Sequence, residues 1–93
     1  MYYVEMTDTF AGELNYSWVK RYIVRGESLK ECMRKVSMET GFKARKVWSV
    51  GECSAMYRVQ GAWIGYSVEY VPIEELFRYL DETLAVYVKC KPL

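Results

Sequence analysis

The chain has 93 residues, of which 52% are hydrophobic and 16% aromatic, and its formal net charge is +1. One domain over 1–93 is expected, with little room for a deep catalytic cavity, and a disordered chain is excluded. No apolar run approaches the roughly 18 residues of a membrane span. The three cysteines, Cys32, Cys53 and Cys90, fit no zinc spacing, and there is no histidine to complete one. The opening "MYYVEMTD" lacks the basic flank of a signal peptide. A cytoplasmic protein with reduced thiols, no metal and no other cofactor is therefore expected.

Along the chain, residues 2–8 alternate Tyr2, Val4 and Met6 against Tyr3, Glu5 and Thr7, the pattern of a half-buried strand. "TFAGELN" turns the chain, with Gly12 as the permissive residue, and "YSWVKRYIVR" forms the second strand of an antiparallel hairpin. In this strand Val19 and Ile23 are read as facing the core, and Trp18, Lys20 and Tyr22 as facing outward. Arg21 interrupts the inward series, which suggests an edge position or a bulge.

The clearest element is "ESLKECMRKVSMETG". Ser28 is a good N-cap, and Glu31 completes a capping box. Leu29, Cys32, Met33 and Val36 recur at i, i+3, i+4 and i+7, giving one apolar stripe. Gly41 suits the left-handed position that ends the helix, and Phe42 the apolar contact that follows it. Strands are then expected at 44–50, 55–60 and 62–71, a short helix at 72–80 and a last strand at 84–90. From residue 16 the order is β-α-β-β-α-β. The fold expected is α+β: an antiparallel sheet of four to six strands with one long and one short helix packed on one face, ferredoxin-like or related. A curved antiparallel sheet around the long helix alone, with the short helix peripheral, fits the pattern equally well.

Classical catalysis lacks its parts. Without histidine, a serine or cysteine nucleophile has no imidazole base. Cys32 lies on the apolar stripe and is expected to be an inert core thiol. The neighbouring acids Glu74–Glu75 and Asp81–Glu82 do not face each other across a site. No phosphate-cradling glycine loop is present. A non-enzyme is expected.

Charge and aromatics carry the remaining signal. Residues 14–50 hold nine basic and three acidic groups, whereas residues 51–82 hold two basic and six acidic ones. There are nine Tyr and three Trp but only three Phe. Tyr and Trp combine apolar area with a polar handle and are enriched at interfaces. If helices cover one sheet face, Tyr3, Trp18, Tyr22, Tyr87 and either Tyr57 or Arg58 line the other, beside Lys20 and Lys89. The candidate contact residues are Trp18, Lys20, Arg21, Tyr22, Lys46 and Trp48. Such a face suits a protein partner, a second copy of the chain, or stacked single-stranded nucleic acid. The strand "AWIGYSVEY" does not reproduce the basic-Gly-aromatic-Gly-aromatic order of RNA-recognition motifs, and Glu69 falls where that motif has an apolar residue.

The run "VKRYIVRGESLKECMRKVSMETG", followed by short strands rich in Trp and Tyr, resembles small phage-encoded anti-CRISPR proteins over residues 16–71. The resemblance is one of pattern and size and maps no functional residue. It implies a non-catalytic inhibitor, acting in the host cytoplasm as a monomer or homodimer. Such a protein would block a host protein or ribonucleoprotein interference complex by steric occlusion. Single-stranded nucleic-acid binding through the same aromatic and basic face is the alternative.

Overall fold

The computed structural model describes residues 1–72 and 90–93. Its strands are β1 (Tyr2–Phe10), β2 (Glu13–Val24), β3 (Ala44–Val50), β4 (Ser54–Val59), β5 (Ile64–Tyr70) and β6 (Lys91–Pro92), and its helix is α1 (Leu29–Thr40). The strands form one sheet in the order β3-β4-β5-β1-β2-β6. Neighbours run antiparallel except β2 and β6, which are parallel.

The expected α+β fold, with one long and one short helix on an antiparallel sheet, is overturned. Among the described residues most are in strands, the sheet is mixed, and α1 is the single helix. The reason lies in the connections. β1 and β2 continue to a tight turn at Ala11–Gly12, and β3, β4 and β5 follow as a meander through short turns. Local hairpins thus supply pairings that a β-α-β crossover would otherwise make. The short helix expected at 72–80 lies, beyond Pro72, outside the described residues. So does the strand expected at 84–90, up to Lys89.

The helix forms as its sequence dictates. The Ser28 Oγ accepts from the Glu31 N–H at 3.1 Å. The Glu31 carboxylate reaches back to the Glu27 N–H, one residue before the usual capping-box donor. Gly41 ends the helix at φ 77°, where its N–H meets the Ser37 carbonyl at 2.9 Å. A side chain there would meet the steric penalty of the left-handed region. A third contact was not visible in the sequence. A Glu52 carboxylate oxygen, from the β3–β4 turn, accepts from the Leu29 N–H and from the Tyr2 hydroxyl at 2.6 and 3.0 Å. An anion here satisfies an orphan donor and complements the helix dipole.

Leu29, Cys32, Met33 and Val36 are the buried helix residues. They join a core cluster with Tyr2, Val4 and Met6 of β1, Tyr22 and Val24 of β2, Ala55, Tyr57 and Val59 of β4, and Tyr66 and Val68 of β5. Register explains the membership. Val4 stands opposite both Tyr22 and Val68, so these three share the helix-side face. Tyr22 is therefore a core residue, only 6% exposed, and its expected outward orientation is corrected. Val19, Arg21 and Ile23 take the opposite, open face, where Arg21 pairs in register with Glu5. A charged pair on the solvated face spares the core an ionic group.

The hairpin also holds a wide bulge. Register jumps from Thr7↔Val19 to Thr9↔Leu14. Asn15 to Trp18 therefore stand opposite Asp8 alone, with Tyr16 at φ 57°. Asp8 holds this excursion together. Its carboxylate accepts from the Ser17 N–H at 2.9 Å, the Asn15 amide at 2.9 Å and the Thr7 hydroxyl at 3.1 Å. These donors keep the Asp8 carboxyl well below the usual carboxylate range, the Ser17 contact first.

Candidate binding surfaces

β3 is an edge of the sheet among the described residues, and almost all of it is exposed. Val47, Trp48 and Val50 are large apolar groups left in solvent, Trp48 at 49% and Val50 at 65% exposure. Trp48 pairs with Met56 and Val50 with Ser54, so both lie on the open face. Val47 sits in a bulge between the pairs Lys46↔Tyr57 and Trp48↔Met56. The bulge, with Arg45 and Lys46 before it, blunts the edge against indiscriminate strand pairing. What remains is a short strip of apolar side chains with a basic end. Contiguous exposed apolar groups mark contact surfaces better than single ones do.

At that basic end lies a cleft of about 400 Å³. The end of β3 (Arg45, Lys46, Val47), Arg58 and Val59 of β4, the turn Gln60–Trp63, Thr9 and Gly12 line it. Among the described residues no acidic one does. Arg45 and Arg58 are direct cross-strand partners on the open face. Two like charges directly opposite on neighbouring strands are destabilising. Among the described residues no carboxylate pairs with Arg45, Lys46 or Arg58. The Arg58 guanidinium extends to the β1–β2 turn, 3.6 Å from where a Cβ on Gly12 would sit. Trp63 is 76% exposed, while its backbone carbonyl is pinned by the Thr9 N–H at 3.0 Å. An indole is thus presented to solvent from a fixed backbone.

The six residues named from sequence do not converge. Trp18 is 40% exposed at the border of the Asp8 bulge. Lys20 is exposed opposite Met6 and lines a shallow groove with Glu39 and Lys91, which form an ion pair. Arg21 lies on the open face, where its Nε donates to the Tyr3 hydroxyl at 3.2 Å and sits 3.8 Å from a Glu5 carboxylate oxygen. Tyr22 is buried. Lys46 and Trp48 are on β3, four strand spacings from β2, or roughly 19 Å at ~4.8 Å per spacing. The bulge at Val47 also sends them to opposite faces. The structure brings Lys46 together with Arg45, Arg58 and Trp63 instead. A sequence signal existed for Trp63, an aromatic two residues after Gly61. The Arg45–Arg58 pairing depends on a register that no local pattern reveals.

The open face is not an aromatic platform. Over β1, β2 and β5 it carries Glu5 and Glu69 as well as Arg21 and Tyr3, and those carboxylates disfavour a phosphate backbone on these strands.

The buried thiols are muted. Cys32 is fully buried, and burial pushes its thiol up to about 12, which leaves it un-ionised at neutral pH. Burial also raises Cys90. All three cysteines are free, with Cys53 exposed. Among the described residues no three Cys, Asp or Glu side chains gather as a metal site, and no helix is long and apolar enough to cross a membrane. No protein-family model matches the chain, and neither a curated protein nor a solved structure does.

Proposed function

We propose that this is a small non-catalytic binding protein that acts in the cytoplasm by occupying the surface of a partner protein or ribonucleoprotein. The inhibition would be steric, like that of the anti-CRISPR proteins it resembles. One observation carries the reading: Val47, Trp48 and Val50 form an exposed apolar strip on an edge strand whose bulge discourages random pairing. Exposed Trp is a characteristic anchor of interface hot spots, and truncating such an anchor costs about 2 kcal/mol or more of binding. Lys46 and Arg45 at the end of the strip would add charge complementarity and speed encounter.

The test is titration of the protein into reconstituted CRISPR interference complexes, scored by target cleavage. Inhibition should saturate at a fixed stoichiometry. The double variant Trp48→Ala/Val50→Ser should lose it while keeping the wild-type circular dichroism spectrum. Turnover-dependent inhibition, or full inhibition by the double variant, would sink the reading. Capture of the same complex by wild type and double variant alike would also count against it.

A further inference from the structure

We propose that the cleft between the end of β3, the β4–β5 turn and the β1–β2 turn binds single-stranded nucleic acid, a phosphate seated between Arg45 and Arg58 and a base stacked on Trp63. The inference shares Arg45 with the end of the β3 strip but is separable from protein docking there, because Arg58 and Trp63 lie outside that strip.

Three observations converge. Arg45 and Arg58 stand directly opposite one another in the β3–β4 ladder. Cross-strand partners have Cβ atoms about 4.5–5.5 Å apart, and like charges there repel. The arrangement conflicts locally with the fold, and such conflicts concentrate at functional sites. The Arg58 guanidinium reaches towards Gly12, away from β3, so the two arginines border the cleft from different sides, and an anion held there would take charge-assisted hydrogen bonds from them. Lys46 also borders the cleft, although its register with Tyr57 turns its side chain to the helix-side face, and among the described residues no acidic side chain lines the cleft.

The second observation is Trp63. Its indole is 76% exposed, yet its carbonyl is fixed to β1 by the Thr9 N–H. Base stacking on an exposed aromatic tolerates any sequence, because every base has a π-face. Cations alone would serve an acidic peptide as well as a phosphate. A flat aromatic beside them selects a ligand that alternates phosphate with unstacked base. The third observation is size. About 400 Å³ is at the small end of ligand pockets, which run about 300–1,000 Å³. That volume is of the order a single nucleotide unit needs.

Fluorescence anisotropy tests this, using labelled oligothymidylate, the matching duplex and polyglutamate as probes from about 50 to 200 mM salt. Wild type should bind the single strand at low salt and prefer it to both other probes. Trp63→Ala should weaken binding about 5- to 150-fold. Arg45→Gln/Arg58→Gln should reduce the slope of log K against log salt by about 1.4, two contacts at ~0.7 each. Both variants should keep the wild-type melting temperature or exceed it, so lost binding is not lost folding. The inference is overturned by no single-strand binding at low salt or by an unchanged salt slope in the double arginine variant. Polyglutamate bound as tightly as the oligonucleotide would reassign the cleft to an acidic protein surface. Loss of binding in Trp48→Ala/Val50→Ser but not in Trp63→Ala would also overturn it.

Discussion

Replacing Tyr22 by alanine should unfold a large part of the protein's stability. Tyr22 is 6% exposed in the cluster that α1 covers, opposite Val4 and thus in line with Val68. A buried aromatic side chain removes about 150–250 Å² from water. At ~25 cal/mol per Å² that is on the order of 4–6 kcal/mol. Alanine keeps part of the area, but the cavity adds a cost, so measured losses run about 3–5 kcal/mol. A protein of this length has ~5–14 kcal/mol in total. The melting temperature should fall by about 12 °C or more, taking ~4 °C per kcal/mol as the lower bound. Trp63→Ala is the control, because a side chain 76% exposed should shift stability by no more than about 0.5 kcal/mol. Urea unfolding followed by circular dichroism measures both. A Tyr22→Ala loss below about 1 kcal/mol, or an equal loss in Trp63→Ala, would refute the placement of the core.

Two further predictions rest on close contacts and titration. Gly65 has no room for a side chain, since a Cβ would lie 2.6 Å from Leu14 Cδ2, 3.0 Å from Thr9 Cγ2 and 3.2 Å from the Tyr57 carbonyl oxygen. Gly65→Ala should therefore cost about 1–3 kcal/mol. In the Leu14→Ala background that cost should shrink, and an additive double-mutant cycle would show that Leu14 is not the obstacle. Burial pushes the hydroxyls of Tyr2 and Tyr3 up from 10.0 to about 12, assisted at Tyr2 by Glu52 and at Tyr3 by Glu5. The raised folded-state values mean that the stabilisation is complete below about pH 10 and is lost as pH rises towards about 12. Chemical denaturation across that window should show the fall, and Tyr2→Phe should make it shallower. A flat profile in both proteins would contradict the assignment.

The helix was legible because its signals are local. Ser28, Glu31, Gly41 and the stripe from Leu29 to Val36 all lie within one element, and each acts as its residue type dictates. The face of β2 was not legible, because both of its faces carry large apolar groups. Arg21 held the decisive information. Its interruption of Val19 and Ile23 was a sign that this face is the solvated one, since Glu5 stands across the hairpin from it. Only the pairing register makes that contact visible, and the bulge opposite Asp8 disturbs any attempt to count it outward from the turn. The same limit applies to the cleft. Lys46 was named from sequence, but Arg45, Arg58 and Trp63 become neighbours through the β3–β4 ladder and the β4–β5 turn. Glu52 is similar, a turn residue whose role depends on a helix start 23 residues earlier.

β1 is the first strand of the chain and sits inside the sheet, paired on one side with β2 and on the other with β5. The first pairing closes within 24 residues, whereas Tyr2 meets Tyr70 only after most of the chain exists. Such long-range closure slows folding. During synthesis, the β1–β2 hairpin and α1 would emerge with the β5 edge of β1 still unpaired, along with the apolar face that β4 and β5 later extend. An edge that waits about 40 residues beyond its hairpin for a partner therefore belongs to the strand made first. Until β5 arrives, it is the natural docking site for a chaperone or for the wrong strand of another copy.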